Sequence, residues 1–132
     1  MEKINVSGGA ITANKYHELK TPVFIFNDGS NWIYYSPALD LSGYGATRTE
    51  ANSSFEVALK QLITYIVNKK TAKQLFVSMG WRFTKAGKAK LQLTAPSLME
   101  LLNRDEYLQD IFDKNEFEKI NRNIGLPVMA MA

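Results

Sequence analysis

"WIYYSPALDLSGYGATRTEA", residues 32–51, decides the fold. An aromatic run meets a proline, a short apolar segment follows, two glycines flank a tyrosine, and a helix-start signal closes the stretch. Side chains alternate along a strand, so Trp32, Tyr34 and Ser36 point one way and Ile33 and Tyr35 the other. Pro37 ends regular pairing because it has no donor for a ladder. The segment "ALDLSGYG" reads as extended and then turning at Gly43 and Gly45, a spacing that calls for positive φ or a tight backbone approach. Thr47 and Glu50 have capping-box spacing, in which the hydroxyl accepts a first-turn N–H and the carboxylate reaches back to the cap. From about Arg48 to Asn68 an apolar stripe of Ala51, Phe55, Ala58, Leu62 and Ile66, widened by Leu59 and Ile63, predicts an amphipathic helix lying on one face of a sheet.

Upstream, residues 14–26 read as extended, with "TPVFIF" rich in strand-forming residues and Pro22 marking an edge position. "NDGSN", residues 27–31, joins this run to the next as a hairpin. Residues 1–13 are ambiguous. Downstream, Thr71 and Gln74 repeat the capping-box spacing before "AKQLFVSM", and Gly80 stands where a helix-terminating glycine belongs. "GWRFTKAGKAKLQLT" alternates as a hairpin would. "APSLMELLNRDEYLQDIFDK" returns to helical spacing, with Pro96 in a first turn and the polar "NRDE" splitting it into two short helices. The tail from residue 115 is expected to be extended, docking on the body or on a second copy. The fold class is therefore α+β: a small antiparallel sheet with one long amphipathic helix packed on it. A C-terminal hairpin, short helices and an extended tail follow. Residues 1–81 form the α+β core and residues 82–132 an extension packed on it or on a second subunit, together one structural domain.

Composition narrows the chemistry. At 132 residues, 45% of them hydrophobic, the chain suffices for one core and no more. It has no cysteine, which excludes disulfides, thiolate nucleophiles and cysteine-bound metals, and one histidine, His17, which excludes a multi-histidine metal site within the chain. His17 sits among Lys15, Glu18 and Lys20 with no marked serine or carboxylate partner, so it reads as a surface residue rather than a general base. Of the carboxylates, Glu50 is explained by capping and Asp28 by the turn, which leaves Asp40 alone, not a metal site. The glycines at 8–9 and 43–45 fit no phosphate-loop pattern. No catalytic set, cofactor or metal is expected. No apolar run approaches the roughly 20 residues needed to span a bilayer, and the first residues carry no signal-type apolar block. A cytoplasmic protein without membrane contact is expected.

Two binding signals remain. The net charge is +3, and its tightest cluster is Arg82, Lys85, Lys88 and Lys90 in "RFTKAGKAK". It reads as a solvated hairpin tip, with nucleic-acid contact as the alternative. The aromatic group Trp32, Tyr34, Tyr35 and Tyr44 reads mainly as core. It serves as a protein interface, or less simply as a base-stacking surface, only where one side of the sheet lacks helical cover.

The ordered run "FIFNDGSNWIYYSPALDLSGYGATRTEANSSFEVAL", followed by "TAKQLFVSMGW", resembles the HicB-like antitoxin family over about residues 21–81. The family pattern falls on Tyr35, Pro37, Leu39, Gly43, Gly45, Thr47, Glu50 and Ala51. The resemblance implies a three-stranded antiparallel sheet with a helix packed on it, like a partial ribonuclease-H or double-stranded-RNA-binding fold. It implies a non-catalytic protein that masks a small HicA-like mRNA interferase toxin, and a homodimer. The Asp40–Tyr44 loop with Tyr35 is then the expected contact surface. Many members also bind operator DNA through a C-terminal module. Residues 82–132 show no such module, and Glu100, Asp105, Glu106, Asp110 and Asp113 are poor neighbours for phosphates. An operator-binding regulator without a toxin partner is the alternative reading.

Overall fold

The computed structural model describes residues 16–69, 71–85 and 91–127. In chain order the elements are β1 (Tyr16–Asn27), β2 (Trp32–Ser36), β3 (Leu41–Gly45), α1 (Arg48–Lys69), α2 (Ala72–Ser78), β4 (Arg82–Lys85), β5 (Leu91–Thr94), α3 (Leu98–Arg104), α4 (Glu106–Lys114) and β6 (Phe117–Pro127). The fold is α+β. A four-stranded antiparallel sheet has the order β3-β2-β1-β6, and β4 and β5 form a separate hairpin.

The "NDGSN" turn joins β1 to β2, with Asn27 opposite Trp32. Asp28 accepts the N–H groups of Ser30 and Asn31 at 2.8 Å, and Gly29 takes a φ of 98°. Between β2 and β3 the chain turns at residues 37–40, not at the glycines. Asp40 makes that turn with a φ of 54°, a left-handed conformation that short polar side chains tolerate. Gly43 and Gly45 lie inside β3, opposite Tyr34 and Trp32. Close approach explains them: a Cβ on Gly43 would stand 2.2 Å from the Phe55 backbone N, and one on Gly45 2.5 Å from that of Ala51. Helix α1 presses directly on the strand.

The register divides the sheet into two faces. Opposite pairs such as Ile25 with Tyr34 and Thr21 with Arg122 share the face that α1 covers. There Ala51, Phe55, Leu59, Ile63 and Ile66 are buried, and Tyr34 meets Phe55 at 6.3 Å. Each large side chain of this kind contributes about 1.5–3 kcal/mol when buried. A buried Thr21–Ser36 hydroxyl pair at 3.0 Å satisfies the polar groups on that face. Arg122 bridges sheet and helix, bonding Asn52 at 2.7 Å and Glu56 at 3.2 Å with its guanidinium 5.5 Å from the Phe55 ring.

The opposite face carries Phe24, Phe26, Ile33 and Tyr35, and α4 covers it. Phe24 meets Phe112 at 5.6 Å, Phe26 meets Tyr107 at 6.2 Å, and Tyr35 meets Tyr107 at 4.9 Å. The sheet is thus covered on both sides over its aromatic half.

Three local expectations are corrected. Strand β1 is interior, not an edge. Pro22 is accommodated because pairing with β2 begins only at Phe24, leaving β6 as its ladder neighbour at that point. Thr71 makes no side-chain cap, since its ψ of 15° turns it away from the extended conformation a cap needs. Pro96 precedes the cap Ser97 rather than entering the first turn of α3. The tail is extended as read, and along residues 117–127 it is a full strand of the central sheet.

Candidate functional site

The β2–β3 turn and the α3–α4 junction meet beside the sheet. Asp105 holds the junction. One carboxylate oxygen caps α4 by accepting the Leu108 N–H at 3.1 Å, and the other accepts the Tyr35 hydroxyl. Burial, and then the Asp105 carboxylate, push the Tyr35 phenol well above the usual tyrosine range. It therefore stays protonated and donates. Next to this pair lies a hollow of about 560 Å³ lined by Tyr35, Pro37, Asp40, Ser78, Met79, Arg104, Asp105 and Glu106.

Two tyrosines extend the surface beyond the hollow. Tyr44, 54% exposed, projects from β3, while its N–H donates to the Ser54 hydroxyl at 3.1 Å. Tyr107, 42% exposed, projects from α4. Partial burial raises its phenol, and Tyr44, Asp28 and Asp105 nearby add to the effect. The Asp28 carboxyl is held below its usual range, first by the Asn31 N–H and then by that of Ser30. Tyr44, Asp28 and Asp105 are thus the neighbours of Tyr107, while Asp40 and Glu106 line the adjoining hollow with Arg104 as its cation.

Comparisons with protein-family models, with curated proteins and with solved structures find no match to this chain.

The structure draws together part of the expected contact surface. Asp40 lines the hollow and Tyr44 stands exposed on the neighbouring strand. Tyr35 is buried at 6% exposure, so its contribution is a tie across the layers rather than a broad contact. The aromatic group does not form one platform. Tyr34 is buried under α1 and Trp32 is half-buried beneath Arg48, whose guanidinium lies 5.5 Å from its ring. Tyr35 and Tyr44 lie on the other face, and α4 provides the helical cover that a base-stacking sheet would lack.

Of the basic cluster, Arg82 pairs with Glu100 at 3.3 Å on the surface. Lys85 ends β4, while Lys88 and Lys90 lie outside the described residues. His17 lies in β1 opposite Leu126. Glu50 caps α1, accepting the Ala46 N–H at 3.0 Å, and Glu56 is held by Arg122. Among the described residues no group of His, Asp or Glu side chains gathers in a way that could hold a metal ion.

Sequence reasoning missed Asp105 and Tyr107. A signal for Asp105 was present, since an aspartate just before a periodic run is a cap candidate. Nothing local marked Tyr107, because its role depends on α4 folding back over β1 and β2. A second groove of about 500 Å³ lies on the same sheet face, floored by Lys20, Lys119, Asn121 and Asn123 and walled by Leu98 and Leu101.

Proposed function

We propose that this chain is a non-catalytic binding protein of the HicB-like antitoxin type, which covers the RNA-binding face of a small HicA-like mRNA interferase. The observation that carries this reading is the exposed Tyr107 with Tyr44, Asp28 and Asp105 near it, next to a hollow that Asp40, Asp105 and Glu106 line. Tyrosine supplies large contact area at low entropic cost, and an acidic surface suits a basic partner of the kind that binds RNA. The same carboxylates would repel phosphates, which weighs against operator binding through this face. The meander β1–β2–β3 followed by α1 also follows the element order that the resemblance implies.

Co-expression with the product of the adjacent reading frame, followed by pull-down, tests the proposal. A small basic protein should co-purify. Asp40→Asn, which removes the charge and tolerates the left-handed turn, combined with Tyr44→Ala should weaken the complex by about tenfold or more while leaving the circular dichroism spectrum unchanged. A partner that binds this double variant as well as the wild type, or no co-purifying partner, rejects the reading.

A further inference from the structure

The two edges of the sheet differ. β3 is five residues long, α1 lies against it, and the Tyr44 N–H is taken by Ser54. β6 is 11 residues long and pairs with β1 along its full length. Among the described residues no strand pairs with its other side. Alternate residues of such an edge strand turn their backbone N–H and C=O outward, which makes it a template for a further strand.

We infer that β6 pairs antiparallel with β6 of a second copy about a two-fold axis normal to the sheet, giving one continuous eight-stranded sheet. Such an axis keeps like faces together, so residues pair symmetrically about one self-paired position. A centre at Glu118, Lys119 or Arg122 sets identical charges face to face. A centre at Asn121 sets Arg122 against Ile120 and Glu118 against Ile124. A centre at Ile120 sets isoleucine on isoleucine and Glu118 against Arg122, twice. On the other face that register sets Lys119 against Asn121 and Phe117 against Asn123.

Only the Ile120 register brings opposite charges together, and it joins pairs already present in each chain. Arg48 meets Glu118 at 2.8 Å and Arg122 meets Glu56 at 3.2 Å on that same face. Across the axis they form two runs of alternating sign, Arg48–Glu118 of one chain continuing into Arg122–Glu56 of the other. Opposite charges directly across strands stabilise pairing and like charges oppose it.

The test uses the purified full chain, so it does not depend on any toxin. Sedimentation over a wide concentration range should show a species of twice the chain mass. Glu118→Lys at an exposed position should keep the monomer folded and weaken the dimer by about tenfold or more. The chain has no cysteine, so a single introduced one reports its own neighbour. Directly opposed Cβ atoms lie about 4.5–5.5 Å apart, within reach of a disulfide. Ile120→Cys should therefore cross-link under mild oxidation in dilute protein, and Tyr44→Cys on the closed edge should not. A monomer at every concentration overturns the inference. So does a dimer that Glu118→Lys leaves intact while Ile120→Cys fails to cross-link.

Discussion

Gly43 and Gly45 show how a residue's spacing can be read before its reason is known. The positive-φ glycines of the described chain are Gly29 and Gly80. Gly43 needs no special conformation, but it has no room, since a Cβ there would sit 2.2 Å from one α1 backbone atom and 2.5 Å from another. Gly29 is the reverse case, with a φ of 98° and open space around it. Gly43→Ala should therefore cost about 3 kcal/mol or more, because α1 as a whole must lift from β3. Gly29→Ala should cost only about 1 kcal/mol of local strain. Urea unfolding of both variants checks the contrast, and equal losses would refute the packing account.

Helix ends show the same pattern succeeding and failing between elements. At α1 the Glu50 N–H donates to the Thr47 hydroxyl at 3.1 Å, while the Glu50 carboxylate reaches Ala46, one residue earlier than a standard box. At α3 Ser97 and Glu100 form the complete reciprocal box. At α2 the pattern is present in Thr71 and Gln74 but unused, and the helix is fixed from its other end. There the Gly80 N–H reaches the Val77 carbonyl at 3.0 Å and the Trp81 N–H reaches that of Phe76 at 2.9 Å, a Schellman closure. The Trp81 ring meets Phe76 at 5.2 Å, and its indole N–H donates to the Ala38 carbonyl at 2.8 Å. Trp81→Leu loses ring packing and leaves that buried carbonyl unpaired, so it should cost about 2–4 kcal/mol. Thr71→Ala should change stability by less than about 0.5 kcal/mol. Thermal unfolding of the pair decides; a Thr71→Ala loss matching a true cap would restore the capping role read from sequence.

Across the whole molecule, the Tyr35–Asp105 bond ties β2 to the α3–α4 layer. The Asn115 side chain adds a second tie, donating to the Asn27 carbonyl at 3.2 Å. Since burial holds the Tyr35 phenol above its ordinary range, the folded state keeps a proton that the unfolded chain releases above about pH 10. That contribution is complete below about pH 10 and falls away as pH rises further. Urea midpoints measured from neutral to strongly alkaline pH should fall at the alkaline end. Tyr35→Phe should lower stability at neutral pH by about 1 kcal/mol and flatten the alkaline fall, while Tyr44→Phe, at an exposed site, should change neither. An unchanged slope in Tyr35→Phe would remove Tyr35 as the titrating group.

Legible in the residues alone are the α+β class, the β1–β2 hairpin, the α1 helix with its cap and stripe, the Gly80 terminus and the extended character of the tail. Each is a short-range pattern, written in neighbours a few residues apart. Tertiary structure alone decided that β1 is interior, that α4 covers the second sheet face, that Tyr35 is buried against Asp105, and that Tyr107 joins Tyr44 at the surface. The first follows from β6 pairing with β1, in which Phe26 meets Phe117 and Tyr16 meets Pro127, and the others from α4 packing against β1 and β2. Burial on both faces of the sheet selects such a pairing, and no periodicity within either strand names its partner.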